Sequence, residues 1–292
     1  MKRAALALVA ALALPAGLAA QTTADQRHPA APDAAVSIEN SAGSTKVTGW
    51  DRAEVQVKGT LCSRCELSLD GTDKHVRVEV ASDHVNPMAG KSDIEVMVPA
   101  GASVSIEGFQ ATIAVAGVSG SVKAETVNGT ITHAGPSKEV SLQSVNGAVD
   151  TSKASGRVNV EAVNGTITVR DSSGELEAST VNGKLTVTGG SFTRAQIETV
   201  AGGARFDAAL GPKASLSVES VSGSVELVFP AAFGGDFSVT TFSGEITNEL
   251  GPAAEKASAF TPQKELSFTS GSGGVRVSVE TLSGAVHIRK RQ

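Results

Sequence analysis

Apolar and polar residues alternate along most of the chain beyond residue 20. Val158 and Val160 are apolar, for example, whereas Asn159 and Glu161 next to them are polar. A period of two residues predicts β-strands that bury one face and expose the other. No stretch beyond residue 20 holds an apolar period of 3.6 residues, so an all-helical repeat is excluded.

A motif of an apolar residue, a small polar or alanine residue and a glycine recurs at nearly constant spacing. The first four copies are 18 residues apart, and later copies follow at steps of 19, 21, 21 and 40 residues, the last step corresponding to about two coils with an insertion. A short fixed period is typical of stacked repeats. Independent Asn-Gly hairpins are the alternative, but the apolar pattern repeats at the coil spacing. We therefore predict an all-β fold, a single-stranded β-helix (β-solenoid) with about 18–21 residues per coil. The motifs are Val127-Asn-Gly129, Val145-Asn-Gly147, Val163-Asn-Gly165, Val181-Asn-Gly183, Val200-Ala-Gly202, Val221-Ser-Gly223, Phe242-Ser-Gly244 and Leu282-Ser-Gly284.

Coils stacked about 4.8 Å apart would align equivalent residues into columns. We expect the Val, Phe or Leu that begins each motif to form an interior apolar column. We also expect an amide column at the bend, because Asn followed by Gly tolerates a positive φ. The turn column consists of Asn128, Gly129, Asn146, Gly147, Asn164, Gly165, Asn182 and Gly183.

The chain begins with a segment that has the features of a secretory signal peptide. Lys2 and Arg3 precede an apolar run over residues 4–14, and small residues surround a cut near Ala19 or Ala20. The run is shorter than the roughly 20 residues of a membrane-spanning helix, and no later stretch is suited to one. We expect export to the periplasm, the outer surface or the medium.

The remaining segments differ in regularity. After the signal peptide (1–20), we expect residues 21–35, which contain two prolines, to be a flexible linker. The solenoid domain is predicted over residues 36–292. Within it we expect a less regular N-terminal β cap at 36–102 that blocks the first open edge, regular coils at 103–288 and a loop insertion at 251–263.

Composition excludes several functions. The chain has 292 residues, 25 Lys and Arg against 30 Asp and Glu, and 3% aromatic residues. A net charge of −5 argues against a nucleic-acid partner, because such proteins carry a clustered basic excess. An apolar content of 40% is too high for a disordered chain.

Cys62 and Cys65 are the only cysteines. Export to an oxidising compartment favours a structural disulfide between them. A redox pair normally begins a helix, whereas both flanks here alternate like strands, and a zinc site needs more ligands. Redox, metal-binding and unpaired-thiol interpretations stay as alternatives.

With these features the chain resembles the bacterial putative-adhesin family, a group of exported domains of unknown function related to autotransporter-adhesin domains. The matching pieces are the opening Val36–Asp51, the later Ile94–Gly101 and the repeated Val-Asn-Gly-Thr-Ile and Ser-Gly-Ser-Val steps, which together cover roughly residues 36–288. The resemblance implies a single-stranded β-helix. It carries over no catalytic, metal or cofactor-binding residue, and we expect no cofactor.

One further column is acidic. Glu125, Glu161, Glu198 and Glu219 each stand four residues before a turn glycine, and Gln143 and Ser179 interrupt the series. Such a surface column can simply be a solvated face. Carboxylates on a β-helix can also bind calcium or act on glycosidic bonds, but no hydrolase or zinc motif accompanies them.

Three functions remain in competition. The leading hypothesis is a non-enzymatic envelope protein, an adhesin or scaffold, whose stacked face contacts a polysaccharide or protein partner. A second is a periplasmic structural or envelope-stress protein without an external ligand. A third is a polysaccharide-active enzyme that uses Glu125 and Glu161.

Overall fold

The computed structural model describes residues 22–82, 90–258 and 261–291. The predicted signal peptide, residues 1–20, lies outside these ranges and stays a prediction. The strands are β1 (Thr22–Pro29), β2 (Ala35–Asn40), β3 (Ala42–Trp50), β4 (Glu54–Leu61), β5 (Cys65–Gly71), β6 (His75–Ser82), β7 (Ser92–Pro99), β8 (Ser103–Gly108), β9 (Gln110–Ala116), β10 (Ser121–Asn128), β11 (Ile131–Ala134), β12 (Glu139–Asn146), β13 (Val149–Ser152), β14 (Arg157–Asn164), β15 (Ile167–Arg170), β16 (Ser173–Thr180), β17 (Leu185–Thr199), β18 (Ala204–Ser220), β19 (Val225–Phe229), β20 (Gly235–Thr241), β21 (Ile246–Asn248), β22 (Glu255–Lys256), β23 (Lys264–Ser270), β24 (Val275–Thr281) and β25 (Val286–Lys290).

Each coil contributes one strand to each of two parallel faces, which confirms the predicted β-solenoid. The first face stacks in the order β6, β2, β8, β10, β12, β14, β16, the C-terminal halves of β17 and β18, β24 and β20. The second face stacks in the order β7, β3, β9, β11, β13, β15, the N-terminal halves of β17 and β18, β19, β25 and β21.

Residues one period apart lie side by side in these faces. Val122 pairs with Val140, which pairs with Val158 and then Leu176, and all four are buried. Parallel strands form evenly spaced hydrogen bonds only if the register is kept, so each repeat position becomes a column. The apolar inward columns of both faces meet in one core.

The stacking order departs from chain order at both ends. The coil of β6 and β7 lies outside that of β2 and β3. Near the C-terminus, β24 and β25 lie between β18–β19 and β20–β21. The Leu282 motif, which is last in the sequence, therefore stacks on the Val221 motif, and the Phe242 motif belongs to the terminal coil. The spacing of 40 residues does not indicate this exchange.

Antiparallel strands protect both ends of the first face and one end of the second. β5 pairs with β6, and β4 pairs with β7, while β23 covers β20 at the other end. Such coverage blocks pairing with another chain at an exposed edge. Gly271, Gly273 and Gly274, all at positive φ, form the bend that carries the chain from β23 to β24.

The predicted linker at 21–35 differs from the structure. Residues Thr22–Pro29 form β1, which pairs antiparallel with β4, and Ala30 and Ala34 are buried. Gln21 lies outside the described residues. The polar sequence of β1 has no period, because this outer strand is held by backbone hydrogen bonds to β4 rather than by a buried face.

Two other predicted segments are only partly as expected. The cap at 36–102 contains two regular coils, since β2, β3, β6 and β7 continue the parallel faces. The insertion at 251–263 is largely irregular but includes β22, which pairs with β23, and residues 259 and 260 lie outside the described ranges.

The turn glycines do not have the positive φ that the Asn-Gly pattern predicted. They are needed for close stacking instead. A Cβ built on Gly165 would clash with the carbonyl oxygen of Gly147, and one on Gly183 would clash with that of Gly165. Glycine is therefore required by the backbone of the neighbouring coil.

His133 is a buried polar side chain within the core. It lies on β11 between Val115 and Thr151 of the neighbouring coils and is 1% exposed. The Ser137 hydroxyl donates to the Val118 carbonyl. His133 Nε2 therefore donates to Ser137 Oγ at 2.9 Å, and Nδ1 accepts from Thr151 at 3.0 Å. Burial lowers the pKa of His133 to about 4, because the charged form would be desolvated.

Replacing His133 with Asn should remove part of the protein's sensitivity to acid. The folded pKa of about 4 lies below the 6.5 of an unperturbed histidine, so the unfolded chain binds the extra proton and stability falls as pH drops from 6.5 to 4. The wild type should lose about 3 kcal/mol more than His133→Asn over this interval. Urea unfolding of both proteins at pH 7, 5.5 and 4 measures the difference. Equal losses of stability in the two proteins would contradict the lowered pKa of His133 in the folded protein.

Candidate functional site

The corner where the first face ends is lined inside by small polar side chains. Thr126 and Ser144 are buried there, and their hydroxyls donate to the carbonyls of Ala111 and Gly129, each at 3.1 Å. Since these hydroxyls have partners, burying them carries little penalty. From Thr126 onward, the members of this corner column in stacking order are Thr126, Ser144, Ala162, Thr180, Thr199, Ser220, Thr281 and Thr241.

The residue after each corner residue points outward, which corrects the expectation of an interior apolar column. Val160 and Ala162 face inward, so Val163 has the outward parity of the strand and is 41% exposed. The corner residue already faces inward, so the residue that follows it must face outward. We call this exterior series the apolar column. Its members in stacking order are Phe109, Val127, Val145, Val163, Val181, Val200, Val221, Leu282 and Phe242.

Two residues earlier on each strand lies a second exterior series, the acidic column. The four predicted residues Glu125, Glu161, Glu198 and Glu219 occupy it, although only Glu198 and Glu219 are direct neighbours. In stacking order the column is Glu79, Glu39, Glu107, Glu125, Gln143, Glu161, Ser179, Glu198, Glu219, Glu280 and Thr240.

Sequence reasoning missed three acidic members at the N-terminal end. Glu107 stands 18 residues before Glu125 and could have been found by extending the period backward. Glu39 and Glu79 could not, because the coils that carry them are separated in sequence by β4 and β5 and stack out of chain order.

A groove of about 1000 Å³ runs between the two columns. It is lined from Glu107 to Phe242 and so crosses nine coils, or about 38 Å at the strand spacing. One wall carries carboxylates and the other carries aliphatic and phenyl side chains. Among the described residues that line it, none is Lys or Arg.

Basic residues neutralise the acidic column mainly at its N-terminal end. Arg77 pairs with Glu39 at 3.0 Å and Glu79 at 3.2 Å, and Lys123 pairs with Glu125 at 2.7 Å. The Glu125 hydrogen bond and charge raise the pKa of Lys123, which keeps that ammonium charged.

Farther along, the carboxylates have neutral neighbours. Asn159 donates to Glu161 at 3.2 Å and Gln196 donates to Glu198 at 2.8 Å. No described Lys or Arg forms an ion pair with Glu161, Glu198, Glu219 or Glu280. Negative charge is therefore concentrated in the C-terminal half of the groove.

The predicted amide column forms the outer rim beside the apolar column. Asn146 donates to Asn128 at 2.9 Å, and Asn164 donates to Asn146 and Asn182 to Asn164, both at 3.0 Å. Asn146 and Asn164 thereby use both a donor and an acceptor within the stack, while Asn128 accepts and Asn182 donates at its ends. This arrangement fits a structural role at the turn.

The two cysteines belong to the N-terminal cap, outside the groove. Cys62 and Cys65 form a disulfide across the turn between β4 and β5, with an S–S distance of 2.04 Å. The Cys65 amide also donates to the Cys62 carbonyl. The bridge therefore closes a small turn within a β region rather than beginning a helix.

The geometry gives little support to acid-base chemistry in the groove. Glu125 and Glu161 are separated by Gln143, two strand spacings or about 10 Å apart. Both are solvent-accessible, whereas a general acid commonly has a desolvated site. Within the described ranges, no group of three or more His, Cys, Asp or Glu residues could hold a metal ion.

Residues 33–289 match the Toastrack DUF4097 family, and the chain therefore belongs to that family. This confirms the resemblance to a family of adhesin-like domains of unknown function. No protein with curated function is significantly similar in sequence. In the part of the chain that the structure describes, no helix is long and apolar enough to cross a bilayer.

Several solved structures are similar in outline. A putative adhesin from Parabacteroides distasonis is 11% identical, with a TM-score of 0.45 over 91% of this chain and 97% of that chain. A putative lipid binding protein from the same organism is 12% identical, with a TM-score of 0.44 over 92% and 97%. A putative adhesin from Bacteroides fragilis is 11% identical, with a TM-score of 0.36 over 94% and 100%. These similarities carry no information about a ligand.

Threonine substitutions should separate the outward from the inward apolar residues. Val160→Thr would bury a hydroxyl in the core and should cost about 1–3 kcal/mol. Val163→Thr, on the exposed column, should cost less than about 0.5 kcal/mol. Urea unfolding at pH 7 compares these two isosteric changes directly. A larger loss for Val163→Thr would show that the apolar column is interior after all.

Proposed function

We propose that this Toastrack family member is an exported, non-enzymatic protein of the cell envelope that binds an elongated partner along the groove. The observation that carries the proposal is the apolar column. Nine apolar side chains stack in unbroken register on the outside of the solenoid. Among the most exposed of them, the exposed fraction ranges from 39% at Val181 to 54% at Leu282. Contiguous exposed apolar surface of this kind is typical of a binding site.

The composition of the groove favours a protein partner over a polysaccharide. Its apolar wall is mainly Val, with Leu282 and Phe242, and such side chains gain most by burying apolar surface of a partner. The opposite wall supplies exposed carboxylates. The chain has no Tyr, and its single Trp, Trp50, lies on the second face.

Export is supported by the features of residues 1–20, and the adhesive or scaffolding role by the groove. Outer-surface exposure would favour an adhesin, and retention in the periplasm would favour a scaffold. Protease treatment of intact cells, followed by fractionation, distinguishes the two locations.

Site-specific photo-crosslinking in producing cells tests the binding role of the groove. A photoreactive amino acid at Val200 should give discrete crosslinked products. The matched control is Thr132, which is exposed on β11 of the second face and should give few. Adding Val181→Thr and Val221→Thr beside the probe should reduce the Val200 products several-fold, because these changes remove apolar surface on both sides.

Similar products from Val200 and Thr132, or none from Val200, would contradict the proposed function. The threonine changes are on exposed positions, so folding should be retained, and circular dichroism of the purified variants provides the check.

A further inference from the structure

The charge of the groove restricts what can bind there. Six glutamates line it and no described lining residue is basic. The Lys123–Glu125 ion pair removes one of these charges. Glu198, Glu219 and Glu280 then stand on three consecutive strands, so their carboxylates repeat at about 4.8 Å. A ligand in this half of the groove must neutralise negative charge along its length.

The apolar column sets a second requirement. It lies two residues beyond the acidic column on each strand, so the columns are about 7 Å apart. The ligand must therefore present cations along one edge and apolar groups along the other, over as much as about 38 Å.

An extended polypeptide meets both requirements. Successive side chains of an extended chain point to opposite sides, so alternating basic and apolar residues would place ammonium groups at one column and apolar side chains at the other. About twelve residues would span the groove at 3.2–3.4 Å per residue. An α-helix, with a diameter of about 10–12 Å, is wider than the separation of the columns.

From this geometry we infer that the partner segment is a cationic, amphipathic polypeptide bound in an extended conformation. The inference rests on the proposed function and names the chemistry of the partner. A second copy of this groove is unsuitable because both surfaces carry negative charge. Acidic polysaccharides and anionic lipid headgroups would meet the same repulsion.

Binding should depend on both columns and on salt. Exposed ion pairs are weak and are screened by salt, so burial of apolar side chains must supply much of the affinity. Neither a purely cationic peptide nor an acidic amphipathic one should bind well.

Fluorescence anisotropy with the purified full chain and three labelled twelve-residue peptides tests the inference. The peptides are alternating Lys-Val, alternating Lys-Ser and alternating Glu-Val, each with blocked ends. In 25 mM NaCl, the Lys-Val peptide should bind at least tenfold more tightly than either control. Raising NaCl to 200 mM should weaken its binding by about tenfold, because several ion pairs are screened.

Two triple variants assign that binding to the groove. Glu198→Gln, Glu219→Gln and Glu280→Gln together should weaken Lys-Val binding at least tenfold. The control carries Glu66→Gln, Asp70→Asn and Glu139→Gln, which make the same change in net charge at exposed positions outside the groove. It should change binding less than twofold.

Equal weakening by both triple variants, or failure of the Lys-Val peptide to bind at low salt, would overturn the inference. This failure is separable from failure of the proposed function. If Val200 crosslinks persist in cells that produce the groove triple variant, the groove binds a partner but the partner is not cationic.

Discussion

The close stacking of turn glycines is the constraint on which the rest of the structure depends. From Gly147 onward, the carbonyl oxygen of one turn glycine occupies the place where a Cβ of the next would lie, as with Gly147 beneath Gly165. Only glycine permits this close approach, and the close approach holds successive coils in register. The parallel hydrogen bonds, the amide column and the buried corner hydroxyls all follow from that register.

Register also turns repeated residues into continuous surfaces. A single exposed valine would have no functional meaning, since isolated apolar residues are common on protein surfaces. Aligned over nine coils beside a row of carboxylates, the same residue type becomes one wall of an elongated groove. The permuted coil near the C-terminus matters here, because Leu282 fills the place between Val221 and Phe242 and keeps the apolar column continuous.

Sequence predicted the repeating part of the molecule well, because period and alternation record the stacking of coils directly. It placed Val163 in the interior, although the structure places it outside. Val160 and Ala162 face inward, so strict alternation along the strand requires the next residue, Val163, to face outward. Long-range backbone pairing produces both the strand at Thr22–Pro29 and the exchanged order of the terminal coils. Such pairing gives no repeating pattern in the sequence. The same applies to the acidic positions at Glu39 and Glu79. The inferred chemistry of the partner depends on the acidic and apolar columns lying side by side, which is a property of the stacked coils.

Disulfide trapping across the permuted coil tests the central claim of one continuous exterior column most directly. Cysteines at Val221 and Leu282, or at Leu282 and Phe242, would lie on adjacent strands at about 4.8 Å, within the Cα separation that a disulfide allows. Each of these pairs should form a second disulfide on mild oxidation, beside the one between Cys62 and Cys65. The pair Val221→Cys and Phe242→Cys, about 10 Å apart, should keep two free thiols. Efficient bridging of that pair, with none between Val221 and Leu282, would mean that the coils stack in chain order and would contradict the account.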